Sequence, residues 1–132
     1  MNRRSFFTMA TLLSLAPGLS FAQELTDYTP GLVQSELAAG KTVFVEYSAV
    51  WCSTCARQER IINALRAANP DYDTAMSFIK VDWDTYGRHD VSTSRAIPRR
   101  STLVLLRGDE ELGRIVAGTA EGQIKDLMDL GL

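Results

Sequence analysis

The hydrophobic pattern of the chain changes repeatedly between strand-like and helix-like spacing. Four segments are rich in β-branched and aromatic residues and are predicted to be strands. They cover residues 42–48, 76–83, 101–107 and 111–117. The first is mostly apolar on both faces, as expected of a strand that is covered on both faces of a sheet. The last two flank Gly108-Asp109-Glu110, so they predict a hairpin.

Between these strands, apolar residues recur every three or four positions, which is typical of helices with one buried face. Helices are predicted over residues 30–39, 52–68 and 120–130, and a more polar one is predicted to begin near Tyr86 or His89. The residues expected on the buried faces are Leu32, Val33 and Leu37, then Ile61, Ile62 and Leu65, and finally Ile124, Leu127 and Met128. Residues 23–29 are polar and are predicted to be an irregular lead-in.

This order of elements predicts an α/β fold in three layers, in which a central mixed sheet is flanked by helices on both faces. The chain has 132 residues, of which 45% are hydrophobic. That length and composition support one domain with an ordinary packed core, which the pattern assigns to residues 23–132.

Residues 1–22 have the composition of a secretory signal peptide. Arg3 and Arg4 give a positive start, residues 6–16 are apolar, and residues 20–22 suit cleavage before Gln23. The apolar stretch of 11 residues is shorter than the ~20 residues that span a bilayer. The arginine pair also resembles a twin-arginine export motif, so that route and general secretion both stay open. Either route predicts an exported, periplasmic protein.

Charge argues against one class of partner. The formal net charge of the chain is −2. Loss of the two arginines with the signal peptide leaves 12 basic against 16 acidic residues, a net charge of −4. A weakly acidic chain lacks the basic surface that nucleic acid binding needs, so no nucleic acid partner is expected. The protein is predicted to be a monomer.

The two cysteines, Cys52 and Cys55, lie three positions apart where a strand gives way to a helix. Residues i and i+3 of a helix are about 5 Å apart at Cα, which is within the range of a disulfide. At a helix N-terminus, free backbone N–H groups and the helix dipole favour a thiolate, the reactive form of cysteine. A purely structural disulfide is the alternative, but so short a loop gains little from closure. The pair therefore predicts a reactive dithiol site.

These residues resemble the thioredoxin-fold family from about residue 30 to the C-terminus. Residues 43–55 are similar to the family's strand that leads into a Trp-Cys-x-x-Cys active site. Further similar segments are residues 79–82 for the next strand, 101–106 with Gly108 and 113–116 for the hairpin, and 121–125 for the start of the last helix. The resemblance implies a thioredoxin-like sandwich and a thiol–disulfide oxidoreductase that needs no cofactor. The family's opening strand has no clear counterpart in the sequence.

The resemblance also implies roles for individual residues. Cys52 would be an exposed nucleophile that forms a mixed disulfide with a partner, and Cys55 the more buried cysteine that resolves it. Glu46 lies where the family keeps a buried acid, and a carboxyl group in an apolar strand has a raised pKa that suits it to accept and return the proton of Cys55. Lys80 matches a family lysine that can pair with this acid. Solvent-facing positions for Glu46 and Lys80 are the alternatives.

The loop that faces the cysteines departs from the family. Ser101 stands where the family has a cis-proline directly before the hairpin. A cis bond before a residue other than proline costs about 2.5–4 kcal/mol, so the Arg100–Ser101 bond is expected to be trans or strained. Alternatively, the loop is rebuilt around Pro98, and Arg99 and Arg100 flank the site with positive charge or form a solvated turn. Trp51 is expected to pack over the site and to shield the cysteines from water.

Two functions fit these patterns. The first is an exported thiol–disulfide oxidoreductase that acts on client proteins with cysteines or a disulfide. Within it, a reductant that is re-reduced by a membrane-borne electron donor is favoured, because the single-domain layout and Glu46 resemble exported reductases. The second is a soft-metal module that holds an ion such as Cu(I) through Cys52 and Cys55. Two thiolates alone make a poor closed metal site, and His89, the only histidine, is expected at the surface.

Overall fold

The structure, a computed structural model, describes residues 24–132. The predicted signal peptide at residues 1–22 lies outside the described residues. Five strands form one mixed sheet in the order β1-β3-β2-β4-β5. They are β1 (Thr26–Asp27), β2 (Thr42–Ser48), β3 (Met76–Asp82), β4 (Thr102–Arg107) and β5 (Glu110–Val116). β3 runs parallel to both of its neighbours, β1 and β2, whereas β4 is antiparallel to β2 and β5.

Six helices lie in the described part of the chain. They are α1 (Leu32–Ala38), α2 (Ser53–Ala68), α3 (Asp71–Ala75), α4 (Trp83–Tyr86), α5 (Asp90–Thr93) and α6 (Glu121–Asp129). α2 ends before Asn69 and Pro70, because proline cannot continue the helical hydrogen bonds and restricts the residue before it. Gly108, with φ of 58°, makes the tight turn between β4 and β5.

An apolar core lies on each face of the sheet, as predicted for a three-layer α/β fold. The core beneath α2 and α6 includes Phe44, Ile62, Leu65, Phe78, Leu103, Leu105, Ile124, Leu127 and Met128. The core beneath α1 and the short helices includes Val33, Val43, Val45, Tyr47, Ile79, Val81, Val104 and Leu106. Since successive strand residues point to opposite faces, Glu46 shares the α2 face with Phe44.

One prediction of local structure is wrong, and another is confirmed only in part. Residues 23–29 are not an irregular lead-in throughout, because Thr26 and Asp27 pair with Ile79 and Lys80 as the edge strand β1. A strand of two residues is too short to show a periodic pattern. A helix does begin near His89, as predicted, because His89 is the N-cap of α5, but α5 has a single turn and is preceded by the separate single-turn helix α4. No helix within residues 24–132 is long and apolar enough to cross a membrane.

Candidate active site

Cys52 and Cys55 lie at the start of α2 and form a disulfide, with their Cα atoms 5.3 Å apart. Cys52 is the N-cap residue, and its Sγ accepts a hydrogen bond from the backbone N–H of Cys55 at 3.1 Å. The predicted position at the helix N-terminus is therefore confirmed. Negative charge on the Cys52 sulfur would be favoured by this N–H group and by the helix dipole.

Both cysteines are buried, and Cys52 is less exposed than predicted. Cys55 is 0% exposed and Cys52 only 5% exposed. The order is as predicted, but an exposed Cys52 is wrong, because Ala49 and Trp83 pack against the pair. Cys52 is therefore largely covered by its neighbours in the disulfide form.

Ser101 faces both sulfur atoms from the loop before β4. Its Oγ is 3.2 Å from Sγ of Cys52 and 3.1 Å from Sγ of Cys55, and the residue is 0% exposed. The residues from 24 to 132 contain no cis peptide bond, so the Arg100–Ser101 bond is trans, and φ of Ser101 is 64°. A non-glycine residue in this left-handed region costs on the order of 1–3 kcal/mol, and such residues often occur at active sites.

Hydrogen bonds hold this backbone conformation in place. The N–H of Ser101 donates to the carbonyl of Tyr47 at 2.7 Å, a bond that proline could not make. Its carbonyl accepts from the N–H of Ala117 and from Nε2 of Gln58, both at 2.9 Å. Nε2 of Gln58 also donates to the carbonyl of Gly118 at 2.9 Å. One buried amide therefore joins α2, the Ser101 loop and the loop after β5.

Glu46 is fully buried beneath α2, as the first of its two predicted placements requires. Neither carboxylate oxygen has a hydrogen bond partner among the described residues. Burial, aided by the negative charge of Glu59 and opposed by Lys80, raises the pKa of Glu46 to about 8. Its carboxyl group is therefore mostly protonated near neutral pH and can lose its proton slightly above it.

Lys80 does not make the predicted pair with Glu46, although the two residues are register neighbours on β3 and β2. Its Nζ lies 3.1 Å from Oε1 of Glu59 on α2. Burial lowers the pKa of Lys80, but the hydrogen bond and charge of Glu59 outweigh it and raise the pKa overall. Glu59 and Lys80 line an open cleft of about 560 Å³ with Asp27 and Asp82 at the end of the strands. The ion pair therefore lies at the cleft, and both of its charges act on buried Glu46.

A family model described as Thioredoxin matches residues 25–130. The chain belongs to the thioredoxin family. Thioredoxin H2-1 of Oryza sativa subsp. japonica is 34% identical over 76 residues, which are 58% of this chain and 51% of the rice protein. Thioredoxin H5 of the same plant is 28% identical over 82 residues, 62% of this chain and 56% of that protein.

Solved structures agree with this assignment. Trxlp from Edwardsiella tarda EIB202 is 28% identical, with a TM-score of 0.69 over 79% of this chain and 97% of that chain. Thioredoxin NaTrxh from Nicotiana alata, 22% identical, has the same fold, with a TM-score of 0.67 over 87% of this chain and 98% of that chain. The matched part of this chain spans about half the length of the curated rice relatives.

In this thioredoxin-family protein, Trp51 does not have the predicted shielding position. It is 59% exposed, and its Nε1–H donates to Asp84 at 2.8 Å. The tryptophan that packs against the cysteine cluster is Trp83. The guanidinium of Arg100 lies 4.4 Å from the centroid of a Trp51 ring, so it does flank the site with positive charge. Arg99 is half-buried and donates to the carbonyl of Arg100 at 3.0 Å.

Two residues of this thioredoxin-family site, Gln58 and Glu59, are not among the residues predicted from the sequence. Gln58, however, is three positions after Cys55 and four before Ile62, so it lies on the buried stripe. A glutamine in that row was the available signal for a buried polar contact. Glu59 carries no comparable signal, because its partner Lys80 comes from β3.

Cys52 and Cys55 are not part of a larger set of metal-binding side chains in the described part of the chain. Among residues 24–132, no group of three or more His, Cys, Asp or Glu side chains is arranged to hold a metal ion. His89 is exposed at the start of α5, as predicted.

Proposed function

We propose that this protein is a thiol–disulfide oxidoreductase that exchanges its Cys52–Cys55 pair with client proteins and works as a reductant outside the cytoplasm. The observation that carries the proposal is the combination of a cysteine pair at a helix N-terminus with a fully buried acid on the strand beneath that helix. The helix favours a reactive thiolate, and the acid has a pKa of about 8, which suits proton transfer near neutral pH.

The first step uses the reduced protein. The thiolate of Cys52 attacks one sulfur of the client disulfide, and the client's S–S bond breaks. Its electron pair leaves on the other client sulfur, while a mixed disulfide forms between Cys52 and the client. The N–H of Cys55 points at the Cys52 sulfur and favours its negative charge before the attack.

The second step uses Cys55 and Glu46. Cys55 loses its proton to the Glu46 carboxylate and attacks the Cys52 sulfur, which breaks the mixed disulfide and releases the client as a thiolate. Glu46 faces α2 next to Tyr47, whose carbonyl oxygen is 4.0 Å from the Cys55 sulfur. Two electrons have then passed from the dithiol to the client, and Cys52 and Cys55 are joined.

The reducing direction and the export rest on sequence features. Residues 1–22 have the composition of a signal peptide, and the single-domain layout with Glu46 resembles exported reductases. An exported reductant must be re-reduced, and a membrane-borne donor of electrons is the partner proposed for that step. A monomer is sufficient for each of these steps.

Reduction of insulin disulfides tests the activity. Wild-type protein with a dithiol donor is expected to turn over, whereas Cys52→Ser removes turnover and Cys55→Ser accumulates the mixed disulfide. His89→Gln changes an exposed residue away from the cysteines and serves as the control for effects of expression and purification. Absence of wild-type turnover together with tight, stoichiometric Cu(I) binding would refute the oxidoreductase and favour the metal-binding alternative.

Two further measurements test direction and location. Equilibration with glutathione buffers is expected to give a potential nearer to about −270 mV than to about −120 mV, the two extremes of this fold. A value at the oxidising end would contradict a reductant. Expression of the full chain in a bacterium, followed by fractionation and N-terminal sequencing, is expected to recover a periplasmic product that begins at Gln23.

A further inference from the structure

The Ser101 hydroxyl makes contact with both reactive sulfur atoms. Its Oγ is 3.2 Å from the Cys52 sulfur and 3.1 Å from the Cys55 sulfur. Two cysteines that are joined in a disulfide carry no S–H group, so the single O–H group of Ser101 is the only donor available to these two contacts. A proline at this position has neither a hydroxyl nor an N–H group to offer.

The placement of this hydroxyl is fixed by the protein. Ser101 is 0% exposed, and its backbone is held on both sides by the carbonyl of Tyr47 and by donors from Gln58 and Ala117. Ala117 also has a left-handed backbone, with φ of 59°. Ser101 and Ala117, both with unfavourable left-handed backbones, are thus hydrogen-bonded to each other. This arrangement directs the Ser101 hydroxyl towards the two sulfur atoms.

We propose that Ser101 is a catalytic residue of the dithiol site, whose hydroxyl donates a hydrogen bond to whichever of Cys52 and Cys55 carries negative charge during exchange. This inference rests on the proposed function and assigns a chemical role to the residue at the position of the family's proline.

Each half of the exchange uses the hydroxyl. When Cys52 is a thiolate before its attack on a client disulfide, the O–H group of Ser101 and the N–H group of Cys55 both point at its sulfur. When Cys55 has given its proton to Glu46, the same O–H group turns to the Cys55 sulfur, which then attacks Cys52 and breaks its bond to the client. In the reverse direction, a donor thiolate attacks Cys52, and the electron pair of the broken disulfide leaves on Cys55 beside the hydroxyl. No proton is transferred from Ser101 itself.

The hydroxyl also affects the redox equilibrium. A thiolate is a stronger hydrogen bond acceptor than a disulfide sulfur, because it carries a full charge. Ser101 therefore stabilises the reduced protein more than the oxidised protein. A hydrogen bond to a charged group changes an equilibrium on the order of tenfold to hundredfold.

The test measures the pH dependence of Cys52 alkylation by iodoacetamide in the reduced protein, with the labelled cysteine identified by peptide mass. Ser101→Ala and Ser101→Gly both remove the hydroxyl, and glycine accepts the left-handed backbone without strain. Ser92→Ala is the matched control, because Ser92 is also 0% exposed but donates to the carbonyl of Tyr86. Neighbouring charges on Glu46, Asp84 and Arg100 are the same in all variants.

Both Ser101 variants are expected to move the pH midpoint of alkylation upward by about one pH unit, which corresponds to about tenfold less thiolate below the midpoint. Their equilibrium with glutathione should shift about tenfold towards the disulfide, and Ser92→Ala should match the wild type. Wild-type midpoints in both variants, or a change in only one of them, would overturn the proposal. Alkylation requires no client and no turnover, so this result is independent of whether the protein reduces insulin.

Discussion

Lys80 forms its ion pair with Glu59 of α2 and not with Glu46, its neighbour on the adjacent strand. The distance between Nζ of Lys80 and Oε1 of Glu59 is 3.1 Å, whereas both oxygens of Glu46 are buried without a hydrogen bond partner among the described residues. The burial of Glu46 is therefore poorly compensated, and its pKa rises to about 8. Glu59 thus helps to set the protonation of an acid that it does not touch.

Glu59→Gln is expected to lower the pKa of Glu46, because it removes a negative charge and releases Lys80 from its ion pair. The pH dependence of client release by Cys55, measured in single-turnover insulin reduction, should move to lower pH. Lys80→Met should move it to higher pH. Glu110→Gln, at an exposed position on β5, is the control and should leave the profile unchanged. An unchanged profile in Glu59→Gln would show that Glu59 does not influence Glu46.

Glu46→Gln is expected to slow resolution by Cys55 more than attack by Cys52, because only resolution needs a proton acceptor. General base catalysis contributes about 10²–10⁴-fold, so a loss of about hundredfold is expected in the decay of the mixed disulfide at pH 8. In the wild type, this decay should accelerate as pH rises towards about 8, where the carboxylate becomes abundant. The two phases can be separated by rapid mixing, and equal losses in both would remove the assigned role.

The same substitution is expected to change the pH dependence of stability. The folded protein holds a proton on Glu46 between pH 4.5 and about 8, a range in which the unfolded chain has lost it. The free energy of unfolding should therefore fall as pH rises through this range, by on the order of 5 kcal/mol. Glu46→Gln should resemble the wild type at about pH 4 and exceed it in stability at about pH 8. Urea unfolding of both proteins at the two pH values is the measurement, and parallel curves would contradict the expectation.

Gln58→Met is expected to lower the free energy of unfolding by about 1–3 kcal/mol, because the carbonyls of buried Ser101 and half-buried Gly118 lose a donor. Gln34→Met makes the same chemical change at an exposed position on α1 and should alter stability by less than about 0.5 kcal/mol. Thermal and urea unfolding would measure both. A similar small change in the two variants would show that the Gln58 amide does not stabilise the loops.

The sequence predicts the elements around the site well, for physical reasons. Residues 42–48 are all buried in the sheet, so the segment is apolar or β-branched apart from Glu46 and Ser48, and its limits match β2. The start of α2 at the cysteines and the inward faces of α2 and α6 follow from helical spacing over several turns. Short elements such as β1 and α5 contain too few residues for a period, and hydrogen bonds to the rest of the fold decide them.

The details of the site are less predictable from the sequence. The positive φ of Ser101 depends on a hydrogen bond to the carbonyl of Tyr47 and on hydrogen bonds from Gln58 and Ala117, and these residues come from three separate parts of the chain. The choice of Lys80 between Glu46 and Glu59 is a competition between a strand neighbour and a helix residue. Residue identity alone does not decide such a competition, because both partners are acidic.

The Gln58 amide has a consequence for how clients are chosen. The amide joins α2 to the Ser101 loop and to the loop at Gly118, so it restrains these segments relative to one another. Cys52 is only 5% exposed, so we expect the partner rather than this site to adjust when a client sulfur approaches Cys52. We therefore expect selection among disulfides by the mobility of the polypeptide around them, so that loosely folded segments are preferred over rigid domains.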